Sequence, residues 1–214
     1  MSELTESLEC IRNWLGKNSP YEFSRLKAGL SRDEIDALVK DLPFTIPEEV
    51  YELYQWHDGS VDRFIRSNYN FMSLTEAINK YHEEMGEIRY DSREEAYFVE
   101  QSLPLFRLWS QGDVFYTVIT SGDNRGKVIL YDAECRYYPL QYPSLINLVK
   151  HGAEWCNFNH SNDEESREIN RDIRAEANLD TKYMLKEHIA DCVNRKSGSI
   201  YQLEIYRNFI ENIE

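Results

Sequence analysis

The feature that most constrains the fold is a series of consecutive strand signals in the middle of the chain. Residues 114–120 and 127–132 are rich in β-branched and aromatic side chains, which favour strands. Residues 121–126, between them, have the composition of a turn. Shorter strand candidates lie on either side, at residues 103–109 and 135–138. Strands that follow one another through short turns predict an antiparallel meander.

Helical patterns flank these strands, and the first two precede them. Between residues 2 and 16, leucine and isoleucine recur at three- and four-residue steps, which predicts one apolar helical stripe. Ser31 and Glu34 have the spacing of a capping box at the start of a second helix. We expect Ile35, Leu38 and Val39 to form the buried face of that helix.

Three further helix starts can be placed from capping residues. Pro47 fits the first turn of a helix that ends at the Asp-Gly turn of residues 58–59. Ser73, with Glu76 three residues later, predicts the start of a helix that continues to about Met85. Residues 143–144 open another helix, which runs toward residue 155.

The order of these elements is helices, then strands, then helices. This order predicts an α+β fold with a single antiparallel sheet and helices packed around it. The character changes at Asn159, after which charged helical patterns replace the mixed ones. We therefore predict an α+β domain over residues 1–158 and a helical C-terminal extension over residues 159–214, packed on that domain.

The charge of the chain restricts its partners. Acidic residues number 38 against 24 basic ones, which gives a formal net charge of −14. Such a surface repels phosphate backbones and disfavours nucleic acid, whereas it attracts basic proteins. The same charge also serves solubility.

The sequence shows no targeting signal, which predicts a cytoplasmic location. The first residues have neither a basic start nor an apolar run, so no signal peptide is predicted. No stretch approaches the roughly 20 apolar residues of a membrane span. We expect a cytoplasmic protein that does not enter a membrane.

Candidate catalytic and metal-binding groups have simpler explanations. The four cysteines are scattered without a CxxC pair, so we expect free thiols and no zinc site. His57 beside Asp58 has the residue types of an acid–base pair, but a histidine at a helix C-terminus favours a capping role. Cys156 and His160 lack a local nucleophile signature. We therefore predict no enzymatic activity and no cofactor.

Two groups of residues, taken in order, carry a resemblance. Residues 42–59 combine a helix initiated by proline with an Asp-Gly turn. Farther along, a Gly-Asp strand start at residue 112, a returning strand at residues 128–132 and a Pro-Ser-Leu helix opening at residue 143 follow one another. Together they resemble the SUKH superfamily of toxin-immunity proteins and cell-wall regulators, over about residues 25–157.

The resemblance implies a binding protein. Its bacterial form would be an immunity protein that neutralises a toxin, such as a basic nuclease, by direct contact. The alternative is a regulatory adaptor in cell-wall or stress signalling with an endogenous protein partner. Either function requires a docking surface, and aromatic anchors with an acidic rim suit a basic partner. The residues that we predict for such a patch are Trp56, Asp58, Asp62, Asp113, Tyr116 and Tyr131.

Overall fold

The structure is a computed structural model. It describes residues 1–60, 63–65, 69–87, 101–108, 114–132 and 140–158. The helices in these ranges are α1 (Glu3–Asn18), α2 (Pro20–Phe23), α3 (Arg32–Val39), α4 (Glu48–Trp56), α5 (Leu74–Glu87) and α6 (Leu145–Phe158). The strands are β1 (Arg63–Ile65), β2 (Tyr69–Phe71), β3 (Ser102–Leu108), β4 (Val114–Ile119), β5 (Val128–Asp132) and β6 (Leu140–Tyr142). The predicted strand at residues 135–138 and the predicted extension at residues 159–214 lie outside the described residues.

The strands form one sheet in the order β1-β2-β3-β4-β5-β6. In this order each strand lies beside the strands that precede and follow it in the chain. Every neighbouring pair is antiparallel. The predicted α+β fold with a single antiparallel sheet is confirmed. The strand β1 was not predicted, because its polar surroundings give no alternating pattern.

Two neighbouring rows of side chains cross the sheet. Directly paired residues of antiparallel strands share one face. The pairing therefore defines an apolar row, Phe71, Phe106, Tyr116 and Leu130, on one face. It also defines a mixed row, Asn70, Arg107, Phe115 and Tyr131, on the opposite face.

The helices cover both rows. Tyr54 of α4 packs on Phe71 with ring centroids 5.3 Å apart, and Phe71 packs on Phe106 at 5.4 Å. On the other face, the Lys80 ammonium of α5 lies 5.4 Å from the ring centre of Phe115. The sheet is thus packed between α4 on the apolar row and α5 on the mixed row.

The predicted stripe of α1 is confirmed. Leu4, Leu8, Ile11 and Leu15 are all buried, and α1 packs against α6 and α4. Full burial of a leucine or isoleucine side chain stabilises a fold by about 1.5–3 kcal/mol. This helix therefore closes the core formed by α4, α6 and the apolar row.

The capping box of α3 is confirmed. The Glu34 backbone N–H donates to Ser31 Oγ at 3.3 Å, and the Ser31 N–H donates to Glu34 Oε2 at 2.8 Å. Ile35 is buried, but Leu38 is 37% exposed. The prediction that Leu38 belongs to the buried face is wrong, because this eight-residue helix turns only Ile35 fully into the core.

The predicted start of α5 is also confirmed. Ser73 N–H donates to Glu76 Oε2 at 2.9 Å, and Glu76 N–H donates to Ser73 Oγ at 3.3 Å. At α4, Pro47 is the N-cap and lies one residue before the predicted position, with extended backbone angles. In β3, Pro104 stays within the strand at an irregularity in the pairing with β4, where a proline is tolerated.

Candidate protein-binding site

The Asp-Gly turn after α4 joins two helices. The Leu74 backbone N–H donates to Asp58 Oδ1 at 2.8 Å, so the Asp58 carboxylate caps the start of α5. Gly59 has a φ of 87°, and a Cβ at this position would lie 2.6 Å from the Ser73 backbone nitrogen. Only glycine fits such an approach. Both residues therefore have structural roles in the folded chain.

A short extended segment closes the same turn. Lys27 N–H donates to the Gly59 carbonyl and Asp58 N–H to the Ala28 carbonyl, each at 3.2 Å. His57 Nδ1 lies 2.5 Å from the Lys27 carbonyl oxygen, and since a carbonyl only accepts, this nitrogen carries the proton. Burial lowers the pKa of His57, which favours the neutral ring. His57 is the C-cap residue of α4 through its backbone N–H, but its ring binds the Lys27 carbonyl and not the last carbonyls of the helix, so the expected side-chain cap is not what the structure shows.

The predicted patch residues separate in the structure. Trp56 is half-buried, and its indole N–H donates to Glu9 Oε1 at 2.9 Å. Tyr116 is 8% exposed and stacks on Tyr69 in the apolar row, whereas Tyr131 is fully buried in the mixed row. These two tyrosines lie on opposite faces of the sheet and do not form one exposed patch. Asp62 and Asp113 lie outside the described residues.

A different surface gathers acids around an aromatic ring. The acidic helical face consists of Asp33 and Asp36 on α3 with Glu48, Tyr51 and Glu52 on α4. Tyr51 Oη donates to Asp36 Oδ1 at 2.7 Å, which joins the two helices. Residues three and four positions apart on a helix share a side, so Asp33 lies on the side of α3 that carries Asp36, and Glu48 lies on the side of α4 that carries Tyr51 and Glu52.

Arg32 holds the acidic helical face in place. Its guanidinium donates to both carboxylate oxygens of Glu48, at 2.6 and 3.0 Å, and lies 4.3 Å from the ring centre of Tyr51. The hydrogen bond from Arg32 lowers the pKa of Glu48. Burial, helped by Asp36, raises the pKa of Tyr51, so the phenol stays protonated as a donor. Glu52 accepts hydrogen bonds from Ser2 and Thr5, which ties α1 to the same face.

A second surface has the opposite character. The cationic cleft has a volume of about 330 Å³, and its walls include Lys27, Asn70, Lys80, Arg107 and Phe115. Glu76 and Glu83 also line it, so positive charges exceed negative ones among the described lining residues. The cleft lies where α5 crosses the mixed row of the sheet.

A comparison with known protein families identifies the family of this chain. A family model described as SMI1 / KNR4 family (SUKH-1) matches residues 29–151. The chain belongs to the SMI1/KNR4 family. The predicted resemblance to the SUKH superfamily is thereby confirmed. No curated protein matches the chain.

The Asp-Gly turn lies within the part of the chain that matches the family. The matched range contains Asp58 and Gly59 together with both helices that they join. The turn that carried the resemblance is therefore a folding element of this SMI1/KNR4 chain. The acidic helical face and most of the cationic cleft also fall within the matched range, but neither is formed by that turn alone.

The cleft residues were missed by sequence reasoning. One local signal exists, since Arg107 interrupts the apolar residues Phe106 and Leu108, and Asn70 likewise stands between Tyr69 and Phe71. Polar residues on the alternate face of a strand normally indicate solvent. Only the pairing of Asn70 with Arg107 and the crossing of α5 turn them into the walls of one cleft.

Groups suited to catalysis or metal binding are sparse in the described part of this SMI1/KNR4 chain. Among the described residues, no three His, Cys, Asp or Glu side chains are grouped to hold a metal ion. The two described cysteines, Cys10 and Cys156, are not joined in a disulfide. Burial, with a smaller effect of Cys10, raises the pKa of Cys156 to about 12, the reverse of what a nucleophilic cysteine needs. None of the described helices is long and apolar enough to cross a membrane.

Proposed function

We propose that this chain is a non-enzymatic, cytoplasmic immunity protein that neutralises a toxin by direct contact, the toxin being a basic domain such as a nuclease. Membership of the SMI1/KNR4 family supports a protein-binding role. The observation that carries the proposal is the acidic helical face, where Asp36 and Glu48 lie close to Tyr51 and two further acids, Asp33 and Glu52, stand on the same two helices. A basic partner would meet a complementary potential there.

The face has the physical properties of a pre-formed docking surface. Arg32, Asp36 and Glu48 fix the half-buried Tyr51 ring before any partner arrives. Side chains that are already ordered lose less conformational entropy on binding. A tyrosine surrounded by polar groups is typical of an energetic centre in protein interfaces. The net charge of −14 would also accelerate the approach of a basic partner.

The described residues offer little support for catalysis. The buried thiol of Cys156 holds its proton, and the His57 ring is bonded to backbone. The acid of the His57–Asp58 pair is committed to the start of α5. These commitments favour the non-enzymatic proposal over an enzyme.

A pulldown from the source cells with the tagged chain, followed by mass spectrometry, tests the proposal. One basic, toxin-like protein in stoichiometric amount is the expected result. Recovery of endogenous signalling or envelope proteins instead would favour the regulatory adaptor. Co-expression with the captured protein should then restore the growth of a sensitive cell, and failure to do so would contradict an immunity role.

A pair of charge-matched variants locates the contact. Asp33→Asn/Asp36→Asn removes two acids from the acidic helical face and keeps an acceptor for Tyr51. Thr75→Lys/His82→Lys, at exposed positions of α5, raises the net charge by the same amount. We expect the first variant to weaken binding about tenfold or more and the second to weaken it far less. Equal losses would mean that overall charge, not this face, governs binding.

A further inference from the structure

We propose that the cationic cleft is a second binding site, which accepts a peptide segment bearing a carboxylate. The cleft cations would bind the carboxylate, and Asn70 Oδ1 would accept a backbone N–H of the same segment. The site is independent of the acidic helical face, and it selects the opposite charge. Its volume of about 330 Å³ lies at the lower end of ligand-binding pockets, about 300–1,000 Å³.

The cations come from separate elements and converge on one space. Lys27 belongs to the extended segment before α3, Lys80 to α5 and Arg107 to β3. In a chain with a net charge of −14, such a convergence is contrary to the average surface. An arginine and lysines with different origins are suited to a carboxylate, because they supply donors from several directions.

Lys80 is the least exposed cation of the three. Its side chain is only 19% exposed, and its ammonium lies 5.4 Å from the centre of the Phe115 ring and 3.6 Å from Oε2 of the exposed Glu83. Partial desolvation strengthens the attraction between an ammonium and an anion, because less water screens it. The ring also fixes the lysine chain, so less conformational entropy is lost on binding.

Glu76 reports the positive field in the cleft. Burial raises the pKa of Glu76, but the hydrogen bonds from Ser73 and the charges of Lys27 and Arg107 together lower it below its ordinary value. The carboxylate also lies 4.0 Å from the Lys27 ammonium. An oxygen of Glu76 is already committed to capping α5. The field of Lys27 and Arg107 therefore extends into the cleft, where a ligand carboxylate would experience it.

Asn70 adds a requirement that a simple anion does not meet. Its Oδ1 is buried and has no hydrogen-bond partner among the described residues. A buried acceptor without a donor is unfavourable, so a ligand that donates an N–H here gains affinity. Asn70 pairs directly with Arg107 across the sheet, which places the acceptor beside a cation. A carboxylate close to an amide N–H is the combination found in an acidic peptide.

The test uses the full chain, labelled with ¹⁵N, and the peptide acetyl-Gly-Asp-Glu-Gly-amide. Calorimetry gives the affinity, and the side-chain amide signals of Asn70 and of Asn79, which also lines the cleft, give the location. We expect saturable shifts of these signals and no saturable shifts with acetyl-Gly-Asn-Gln-Gly-amide, which has the same shape without charge. The same peptide with N-methylated amides should bind several-fold more weakly, because it lacks the donor for Asn70.

Variants separate this cleft from the general surface. Arg107→Gln, at an exposed strand position, should weaken peptide binding about tenfold or more. Lys40→Gln removes the same charge from an exposed position at the end of α3 and should change the affinity less than about twofold. Equal effects of the two variants, or equal binding of the neutral peptide, would overturn the proposal. Inorganic phosphate that shifts Asn70 as strongly as the acidic peptide does would also overturn it, in favour of a general anion site.

Discussion

The acidic helical face and the cationic cleft have opposite charge and are built in opposite ways. The acidic helical face is assembled from α3 and α4, so all its members lie between residues 32 and 52. The cleft takes Lys27, Asn70, Lys80, Arg107 and Phe115 from five separate parts of the chain. The acids of the helical face are grouped by the spacing of residues along two helices. The polar residues of the cleft are grouped by strand pairing and by the helix that crosses the sheet. The acidic helical face therefore needs only the packing of α3 on α4, whereas the cleft needs the paired sheet and α5 across it.

The largest expected effect comes from β3, which carries one side chain of the core and one of the cleft. Phe106 and Arg107 are adjacent on β3 but face the apolar row and the cleft, respectively. Phe106→Ala should lower the free energy of unfolding by about 4 kcal/mol, because it leaves a cavity in the core. Arg107→Ala should lower it by less than about 1 kcal/mol. Denaturant unfolding of both variants measures this, and equal losses would mean that Arg107 is mainly a structural residue.

The second effect concerns Gly59, in the Asp-Gly turn that follows α4 and contacts the start of α5. Gly59→Ala should lower the free energy of unfolding by about 3 kcal/mol, because an unfavourable φ is combined with a clash against Ser73. Gly126→Ala is the matched control. Gly126 has a φ of 86°, but no atom lies within 4 Å of the position that a Cβ would take, so we expect a loss of only about 1 kcal/mol. Thermal unfolding curves that shift equally for both variants would remove the close approach as the reason for glycine at residue 59.

Asp58 distinguishes a structural acid from a binding acid. Asp58→Ala should lower the free energy of unfolding by about 1 kcal/mol, because the start of α5 loses its cap. Asp33→Ala, at an exposed position on the acidic helical face, should leave stability within about 0.5 kcal/mol. Chemical denaturation gives both values. A stable Asp58→Ala variant that no longer binds the captured partner would assign Asp58 to the docking surface instead.

The smallest effect concerns salt and separates the two surfaces electrostatically. The pKa of Glu48 is lowered by its exposed partner Arg32, whereas for Glu76 burial raises the pKa and the hydrogen bonds from Ser73, with smaller effects of Lys27 and Arg107, lower it overall. Both groups stabilise the fold above their ordinary pKa, and that stabilisation is lost as the pH falls through the lowered values. In about 1 M salt we expect the pKa of Glu48 to return toward its ordinary value and that of Glu76 to change less. Carboxyl ¹³C NMR titrations measure both, and equal salt shifts would contradict this difference.

Much of the fold followed from local patterns. The stripe of α1, the capping boxes at Ser31 and Ser73, and the hairpin of β4 and β5 were all predicted, because each depends on residues within one or two turns or strands. Leu38 was assigned to the core and is exposed, because the pattern of a helix shows its apolar residues but not which neighbour covers them. The strand β1 has no such pattern, and its pairing with β2 alone defines it.

The predicted site depended on information that no local pattern contains. Tyrosine is a common anchor residue in interfaces, which is why Tyr116 and Tyr131 were predicted for the patch. The strand pairing places them on opposite faces of the sheet, and both are buried. Asp58 was predicted as an acid at the rim of the patch, but its carboxylate accepts a hydrogen bond from the start of α5. Their roles in binding a partner stay predictions, whereas their roles in packing and capping follow from the structure.

The class of the fold, the helix starts and the acidic character could be predicted from residue order alone, because capping, periodicity and charge are properties of short segments. The sequence also carried the resemblance that the family match confirms. Only the tertiary structure decided which polar residues share a surface. Lys27, Lys80 and Arg107 meet because α5 crosses the mixed row beside the Asp-Gly turn, and that meeting depends on contacts between residues far apart in the chain.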